Sequence, residues 1–485
     1  MSNRKPNIVF ILTDDQGAWA MGCAGNRDIH TPHLDRLADR GIRFTNFFCA
    51  SPVCSPARAS IWTGNMPSRH GVHDWIRSGN IDRELLPDSM RDLKAYAEED
   101  RAIDYLAGQL TFPEVLADNG YVCGLSGKWH LGDNFRPSKG FSHWSALGRG
   151  GCGYYEADFV RNGDIVTEDR YVTNVITEDA LQFVHERASD GRPFYLSVHY
   201  TAPHTPWERN QHPAPYFRMY EDCKFEHFPD EPIHPDQINS CSFGTGEARR
   251  ELLKGYCAAI TAMDEDVGRL MDALEKQGLR DHTLVIFTSD NGMNTGHHGI
   301  WGKGNGTFPQ NMYDTSVKVP FLVSRPGTVP EGIVSDELLS HYDVMPTLLD
   351  YVGIGHRMEA SAPGTSFAPL LRGERLAGSE QVVVCDEYGP VRMIRNREWK
   401  YVHRYPYGPH ELYHLALDPG ETHNLIDAPE LQEKVAEMRR SLSEWFLRHT
   451  DPQKDGTKEP VTGKGQGGLV GAGQNVFYND WKKQS

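Results

Sequence analysis

Short apolar runs alternate with amphipathic segments along most of this chain. Residues 7–12 form a continuous apolar run rich in β-branched side chains, which is typical of a central strand buried on both faces of a parallel sheet. Similar runs predict strands at 121–125, 194–200, 283–288 and 317–323. Helical periodicity and capping residues predict helices at 33–40, 173–187, 248–277 and 344–352. Strand and helix thus alternate over roughly 370 residues, which predicts an α/β fold, a three-layer sandwich around a large, mostly parallel sheet.

The pattern changes towards the C-terminus. Closely spaced strands at 381–385, 391–396 and 399–404, followed by an amphipathic helix at 430–448, predict a small α+β domain. We therefore divide the 485 residues into a large α/β domain at 1–375, a small C-terminal domain at 376–450 and a Gly-rich tail at 451–485. The tail, which contains Gly473 and Trp481, is either a disordered end or a segment that folds over a neighbouring cleft. Residues 80–108 are strongly charged, which predicts a solvated insertion.

Composition limits the classes of function. The charged and hydrophobic fractions, 24% and 39%, are typical of a soluble globular protein. A net charge of −16 argues against a nucleic-acid-binding surface, although a local basic pocket would still accept an anion. The nine Cys form no C-x-x-C pair, so neither a zinc module nor a disulfide scaffold is predicted.

The chain shows no membrane-spanning or export signal. No run approaches the ~18 apolar residues of a membrane span, and the N-terminus lacks the apolar core of a signal peptide. We therefore expect no membrane partner. The location stays open between the cytoplasm and an exported protein, periplasmic or secreted, whose signal has been removed.

The segment from Cys54 to Arg58 predicts an anion site. Pro56 suits the first turn of a helix, so Cys54 falls at a helix N-terminus, where free N–H groups attract an anion. Arg58, one turn later, adds a fixed positive fork that suits a tetrahedral oxyanion. The alternative is that Cys54 is only a small buried thiol.

A second group of chemistry-bearing residues follows the predicted strands. Carboxylate and amide oxygens lie at strand carboxyl ends, where open α/β sheets bind ligands: Asp14, Asp15, Asp290 and Asn291. This all-oxygen set suits Ca²⁺ or Mg²⁺ rather than zinc, although Asp is also common in ordinary turns. Lys128 and His130 follow another strand and can face one pocket; a solvated lysine and a structural histidine are the alternatives.

These motifs together resemble the type I sulfatases, which belong to the alkaline phosphatase superfamily. Cys54-Ser55-Pro56-Ala57-Arg58 matches the family's C-[ST]-P-x-R signature, and residues 127–132 match its G-K-W-H-x-G segment. Residues 411–421 resemble its C-terminal E-L-Y-x-L-x-x-D-P-x-E stretch. The resemblance implies an alkaline-phosphatase-like fold, with a catalytic domain at 1–375.

The resemblance also implies a cofactor and a modification. Cys54 is expected to be oxidised to formylglycine by a formylglycine-generating maturation enzyme. The modified Cys54 and the four oxygen-bearing side chains are then expected to coordinate one divalent ion, usually calcium, with Mg²⁺ and Mn²⁺ as alternatives.

The implied reaction is hydrolysis of a sulfate ester to alcohol and inorganic sulfate. One hydroxyl of the formylglycine hydrate attacks sulfur, and the other later expels sulfate. By the resemblance, the charge on the sulfate oxygens is stabilised by Arg58, Lys128 and Lys303. His204 is expected to protonate the leaving alcohol, and His130 to act as the base.

Two other functions remain alternatives. Phosphonate monoester or phosphodiester hydrolases of the same superfamily carry the same Cys signature but usually have Asp-His where this chain has Asp290-Asn291. A non-catalytic binding protein that kept the fold is the other, and the complete set of reactive residues argues against it.

The sequence indicates the substrate less closely than it indicates the reaction. The segment after the Cys54 helix contains His73, Asp74, Trp75 and Arg77, which could line the mouth of the site with Trp207 and His298. Aromatic groups beside charged groups suit a sugar with acidic substituents, which favours a carbohydrate sulfate as substrate, whereas ordinary packing of the Trp side chains is the alternative. Whether the chain forms a homo-oligomer is left open.

Overall fold

The protein is described by a computed structural model over residues 5–161, 163–355, 358–376, 380–388, 391–471 and 476–478. The strands of these residues are β1 (Asn7–Thr13), β2 (Ile42–Phe44), β3 (Phe47–Phe48), β4 (Val122–Gly127), β5 (Phe141–Leu147), β6 (Ala157–Arg161), β7 (Asp164–Glu168), β8 (Phe194–His199), β9 (Thr283–Ser289), β10 (Asn294–Thr295), β11 (Trp301–Gly302), β12 (Phe321–Ser324), β13 (Ile333–Ser335), β14 (Leu339–Ser340), β15 (Val382–Asp386), β16 (Val391–Arg395), β17 (Trp399–Arg404) and β18 (Glu411–His414). The α-helices are α1 (Pro32–Asp39), α2 (Cys54–Thr63), α3 (Pro67–His70), α4 (Asp88–Arg91), α5 (Phe112–Asp118), α6 (Val172–Ala188), α7 (Ala214–Arg218), α8 (Gly246–Lys276), α9 (Asp314–Val317), α10 (Val344–Tyr351), α11 (Ala368–Leu371) and α12 (Gln432–His449).

A ten-stranded sheet runs through the large domain in the order β13-β2-β12-β9-β1-β8-β4-β5-β6-β7. Its centre is parallel, because β1 pairs in parallel with both β9 and β8, and β4 pairs in parallel with both β8 and β5. Antiparallel strands lie nearer the edges, where β12 joins β9 to β2 and β6 joins β5 to β7. The predicted α/β class with a large, mostly parallel sheet is confirmed.

The residues of β1 show why the sheet is covered on both faces. Ile8, Phe10 and Leu12 belong to one apolar cluster, and Val9 and Ile11 to another, because successive side chains of a strand point to opposite faces. Helices α2, α5 and α10 contribute to the first cluster, whereas α1, α6 and α8 contribute to the second. These are the three layers that the alternating pattern predicts.

The C-terminal part forms a separate small sheet in which β15, β16, β17 and β18 pair antiparallel in chain order. Helix α12 packs on it through its buried face, which consists of Met438, Leu442, Trp445 and Phe446. The predicted α+β character is therefore found where the pattern changes.

Two segments differ from the sequence-based expectation. Within 80–108, Ile81, Leu86 and Tyr96 are buried in a small cluster with Phe135 and Val160, so the apolar residues of this segment are packed, while most of its charged residues are exposed as expected. Its apolar residues are widely spaced among charges, which hides them from a periodicity argument. Strand β12 also begins later than predicted, at Phe321, because the residues before it form the short helix α9.

The Gly-rich tail crosses the large domain. Its residues 461–467, which we call the strap, lie beside residues 74–78, and Gln466 forms an isolated parallel bridge with Ile76. Gly473 and Trp481 of the predicted tail lie outside the described residues. None of the helices in the described part of the chain has the length and apolar character needed to cross a bilayer.

Lys400 gives a test of how the two domains are held together. Its fully buried ammonium donates to Asp314 Oδ1 at 2.8 Å and to Met312 O at 2.6 Å, and it also pairs with Glu421. We expect Lys400→Met to lower the free energy of unfolding by about 3–5 kcal/mol, because it leaves the buried Glu421 carboxylate without its cation, although Asp314 keeps Arg395 and Lys318. Urea unfolding measures this change.

The matched control is Lys434→Met, which removes a lysine that pairs with Glu437 on the surface of α12. Its expected cost is at most about 1 kcal/mol. Equal unfolding midpoints for the two variants would contradict the structural role of Lys400.

Candidate functional site

The predicted reactive residues meet at the carboxyl edge of the sheet. The neighbouring parallel strands β9, β1, β8 and β4 all end at this edge. They are followed, respectively, by Asp290 and Asn291, by Asp14 and Asp15, by His204, and by Lys128 and His130. Parallel strands place their carboxyl ends together, so a cluster forms from residues far apart in sequence.

Helix α2 brings the cysteine to the same place. Cys54 is the first residue of this helix, and all of its residues from Cys54 to Thr63 are buried. Ser55 Oγ accepts the Ile76 N–H at 3.1 Å, which fixes the start of the helix against the segment that carries Trp75 and Arg77. Burial raises the pKa of the Cys54 thiol, although Lys128 and Lys303 act in the opposite direction.

Three cations pair with the three carboxylates. Lys128 Nζ lies 2.5 Å from Asp14 Oδ2, and Lys303 Nζ lies 2.6 Å from Asp15 Oδ1. Arg58 donates through Nε to Asp290 Oδ2 at 2.9 Å and through a terminal nitrogen to Lys128 O at 2.7 Å. All these side chains are almost completely buried, so each charge depends on its partner.

The pairing decides the protonation of the carboxylates. Burial alone would raise the pKa of Asp14, but Lys128 and His204 outweigh it and hold the pKa below its usual range. Lys303 and His204 do the same for the pKa of Asp15. The pKa of Lys303 is raised, because Asp15 and its neighbours outweigh the effect of burial. Ionised carboxylates beside charged lysines are therefore the stable state of this cluster.

Two oxygen atoms of the cluster fit a hard cation. Asp14 Oδ1 and Asn291 Oδ1 are buried, and neither accepts a hydrogen bond within the described structure. Asn291 Nδ2 donates to Asp15 Oδ1 at 2.8 Å, which directs the amide into the carboxylate cluster. Buried oxygens without a donor are costly, whereas Ca²⁺ and Mg²⁺ prefer such ligands. The predicted residues therefore fit a divalent metal ion.

The three carboxylates differ in how freely their oxygens could bind a metal ion. Ligand atoms of Asp14, Asp15 and His204 all lie within 4.8 Å of one another. Asp290 instead accepts the N–H groups of Asp15 and Asn291 through Oδ1, besides Arg58 through Oδ2. The sequence did not indicate that His204 would approach the carboxylates this closely.

His130 is held as a neutral base. Its Nε2 donates to Ile76 O at 3.0 Å, so Nδ1 carries the lone pair, and this buried atom has no partner among the described residues. Burial, followed by the charges of Lys128 and Arg58, lowers the pKa of His130 well below its usual value. A Cβ at Gly150 would lie 1.9 Å from Nε2, so only glycine fits beside this ring.

His204 points its other nitrogen at the cluster. Nδ1 donates to Thr205 O at 2.6 Å, and Nε2 lies 3.6 Å from Asp15 Oδ2. Its side chain keeps 26% of its surface exposed, so the ring borders both the carboxylates and the open space above them.

That open space is a cavity of about 1310 Å³. Cys54, Lys128, His130, His204 and Lys303 line it, which makes the reactive residues accessible from one side. Trp75 and Arg77 also line it, as the sequence-based hypothesis expected of substrate-contacting residues.

Other residues expected at the mouth lie elsewhere. Trp207 is fully buried and packs edge-on against Tyr256. His73 and Asp74 are also fully buried, because they bind Gln466 and Gly465 of the strap. His298 stacks on Tyr313 with ring centroids 3.7 Å apart. None of these four is among the residues that line the cavity in the described structure, and their positions depend on long-range packing that a local pattern does not show.

Several cavity residues were not found by sequence reasoning. They come from loops and from the strap, and include Lys94, Arg149, Ile238, Phe308, Tyr388 and Lys464. The Gly-rich run at 148–153, one of whose glycines meets His130, was a local signal for Arg149. The Gly-rich tail, which contains Lys464, was expected either to be a disordered end or to fold over a neighbouring cleft, and the position of the strap agrees with the second alternative.

Comparison with known proteins gives matches over nearly the whole chain. A family model described as Sulfatase matches residues 6–354. A second, described as N-sulphoglucosamine sulphohydrolase, C-terminal, matches residues 296–447.

Similar curated proteins cover most of the chain. An ulvan-active sulfatase of Formosa agariphila is 30% identical, over 91% of this chain and 81% of that protein. An N-acetylglucosamine-6-O-sulfatase of Bacteroides thetaiotaomicron is 28% identical, over 96% of this chain and 90% of that protein. A solved structure in complex with its substrate D-glucosamine-2-N,6-O-disulfate has a TM-score of 0.74 at 24% identity, over 93% of this chain and 99% of that one. This last likeness concerns the fold.

The fit to a divalent ion can be tested without measuring activity. We expect Ca²⁺ to bind to the metal-free protein and to raise its melting temperature, because a ligand of the folded state stabilises that state. Asn291→Ala removes a buried oxygen that we expect to bind the ion. It should weaken Ca²⁺ binding at least about tenfold. Isothermal titration calorimetry measures the Ca²⁺ affinities, and a thermal unfolding scan measures the melting temperature.

The control variant is Asn239→Ala, which removes an exposed amide that lines the same cavity. Its Ca²⁺ affinity should equal that of the wild type. Equal affinities for Asn291→Ala and the control would exclude Asn291 as a ligand.

Proposed function

Because this chain belongs to the sulfatase family and is a sulfate ester hydrolase, we propose that it hydrolyses a carbohydrate sulfate by means of a formylglycine made from Cys54. The observation that carries the proposal is the position of Cys54, at a helix N-terminus between Lys128 and Lys303 and open to the cavity. A sulfate group at this place would meet Lys128 and Lys303, which line the cavity, and the N-terminus of helix α2.

The state of the thiol supports the modification. Burial raises the pKa of Cys54, and a protonated thiol is a poor nucleophile. The unmodified residue would therefore be inert here. As a formylglycine hydrate, residue 54 would supply one hydroxyl to attack sulfur and a second to release sulfate. A formylglycine-generating enzyme is the partner that this proposal requires.

A divalent ion, calcium in our proposal, would be held by Asp14, Asp15, Asp290, Asn291 and the modified residue 54. When bound, such an ion polarises a sulfate oxygen and lowers the pKa of a hydroxyl that it contacts. The unpartnered oxygens of Asp14 and Asn291 support this assignment.

The cations of the chain bind and orient the sulfate. Lys128 and Lys303 line the cavity, and each is fixed by one carboxylate at 2.5–2.6 Å. Arg58 is completely buried and donates hydrogen bonds to Asp290 and to Lys128 O. Fixed positive groups stabilise the charge that develops on non-bridging oxygens without having to reorganise.

Each of the two histidines would move one proton. His204 would protonate the leaving alcohol from Nε2, because Nδ1 is already engaged with Thr205 O. His130, neutral and with a free Nδ1, would accept the proton of the hydroxyl that remains when sulfate is released.

The cavity supports a saccharide as the substrate. Its volume of about 1310 Å³ exceeds what a simple alkyl sulfate needs, and Trp75, Phe308 and Tyr388 give it aromatic walls. Aromatic faces pack on the apolar side of sugar rings, while charged and amide groups bind hydroxyls.

The maturation of Cys54 gives the first prediction for this function. Trypsin releases residues 44–58 as one peptide, which contains both Cys49 and Cys54. In protein made together with a formylglycine-generating enzyme, we expect the mass of aldehyde or its hydrate at Cys54. The buried Cys49 serves as the internal control and should remain a thiol.

An unmodified Cys54, under conditions that convert a known sulfatase, would contradict the mechanism. Parallel assays with a sulfate ester and the matching phosphonate monoester separate the proposed reaction from its alternative. We expect kcat/KM to favour the sulfate.

The role of His204 gives another prediction. His204→Ala should lower kcat about 10²–10⁴-fold on a saccharide sulfate, whose alkoxide leaving group needs a proton. Nitrophenyl sulfate releases a stable phenolate, so its kcat should fall much less. Steady-state kinetics on both substrates measures the difference.

His298→Ala is the control, since this ring is stacked on Tyr313 and does not line the cavity. It should leave the ratio of the two kcat values unchanged. Equal losses on both substrates in His204→Ala would indicate that His204 binds metal instead of donating a proton.

A further inference from the structure

The strap supplies one wall of the cavity from the far end of the chain. Its residues Val461, Thr462, Gly463 and Lys464 line the same space as Cys54. Gln466 anchors it: the fully buried amide accepts the His73 N–H at 2.9 Å and donates to Gly71 O at 3.0 Å. The strap is therefore a built part of the site.

Lys464 lies between two anchored glycines. Gly463 O accepts from Tyr388 OH at 3.0 Å, and the Gly465 N–H donates to Asp74 Oδ2 at 2.9 Å. Gly465 has φ +105°, and a Cβ there would come within 2.6 Å of Arg77 Cβ. The backbone on both sides of Lys464 is thus fixed, while its side chain is exposed at the cavity.

Two further cations lie around the same rim. Arg149 donates to Ala95 O at 3.0 Å and places its guanidinium 5.3 Å from the centre of the Tyr96 ring, next to Lys94. Lys94 and Arg149 both line the cavity.

The strap is tied to this same segment. Lys464 O accepts from Arg77, which pairs with Glu98 at 2.6 Å. Residues 94–98 therefore connect Lys94, Arg149 and Lys464 into one wall.

The charge of this wall is opposite to that of the protein. Arg77 and Glu98 offset each other, and burial raises the pKa of Glu99, the other acid that lines the cavity. Among the described residues, no salt bridge joins Lys94, Arg149 or Lys464 to a carboxylate. The chain as a whole carries −16, so a cationic wall inside this cavity would attract anions that the net charge of the protein disfavours.

On the basis of the proposed function, we propose that Lys94, Arg149 and Lys464 form a subsite for a second anionic group of the substrate. The catalytic cations Lys128 and Lys303 bind the sulfate that is hydrolysed. The wall then binds a carboxylate or another sulfate elsewhere on the same saccharide. The substrate class is accordingly a saccharide with at least two negative groups.

The experiment compares three substrates of one sugar series with the full-length, Cys54-converted protein. One carries only the scissile sulfate, the second adds a carboxylate, and the third adds another sulfate. For each substrate with two negative groups, its kcat/KM is divided by the kcat/KM of the substrate that carries only the scissile sulfate. This ratio measures the preference for a second negative group. The wild type should prefer at least one dianionic substrate, and added salt should reduce that preference.

Lys464→Gln combined with Arg149→Gln should reduce the preference about tenfold or more, mainly through KM, because a hydrogen bond between charged groups contributes at least that factor. Lys458→Gln is the matched control. It removes one positive charge from the terminal segment that also carries Lys464, but Lys458 is exposed and lies outside the cavity lining. The control should keep the wild-type preference.

Each outcome has a distinct meaning. Loss of preference for only the carboxylate or only the second sulfate supports the subsite and identifies the group it binds. Equal kcat/KM on all three substrates, or equal preferences in the variant and the control, overturns the subsite and leaves the carbohydrate sulfatase intact. Hydrolysis of nitrophenyl sulfate without hydrolysis of any saccharide overturns both the subsite and the proposed substrate.

Discussion

The structure depends on placing three carboxylates and three cations together out of water. Asp14 pairs with Lys128, Asp15 with Lys303 and Asp290 with Arg58, and each member is almost entirely buried. A buried charge without its partner is strongly destabilising, so the strands that deliver the acids must end in register, and α2 must dock with Arg58 behind them. The four central parallel strands meet this requirement because their carboxyl ends share one edge of the sheet.

The same arrangement gives the site its chemical properties. Fixed cations keep Asp14 and Asp15 ionised, and burial together with nearby cations keeps the imidazole of His130 neutral, so a base and a set of positive groups coexist within one cluster. The remaining oxygens of Asp14 and Asn291 complete a hard ligand set. The sulfate-binding, metal-binding and proton-transfer roles that we propose therefore all depend on one arrangement of buried charges.

Recognition of the rest of the substrate is built differently. The walls of the cavity come from loops and from the strap, including Arg149, Phe308 and Lys464, whereas the reactive residues other than Lys303 follow central strands or begin a buried helix. Loops carried on a rigid scaffold can vary without disturbing the buried charges.

The sequence by itself determined the parts of this protein that rest on local order. Hydrophobic runs predicted β1, β4, β8 and β9, and helix-forming residues predicted α2 with Cys54 at its start. These predictions succeed because the periodicity of a strand or helix depends on residues that are close together in sequence. The chemical types at strand ends then indicated an oxygen-rich cluster. Only the tertiary structure decided which acid pairs with which cation, that Trp207 and Asp74 are buried, and that Gln466 fixes the strap to residues 71–76. These contacts join residues hundreds of positions apart, such as His73 and Gln466, and depend on packing that no local pattern encodes.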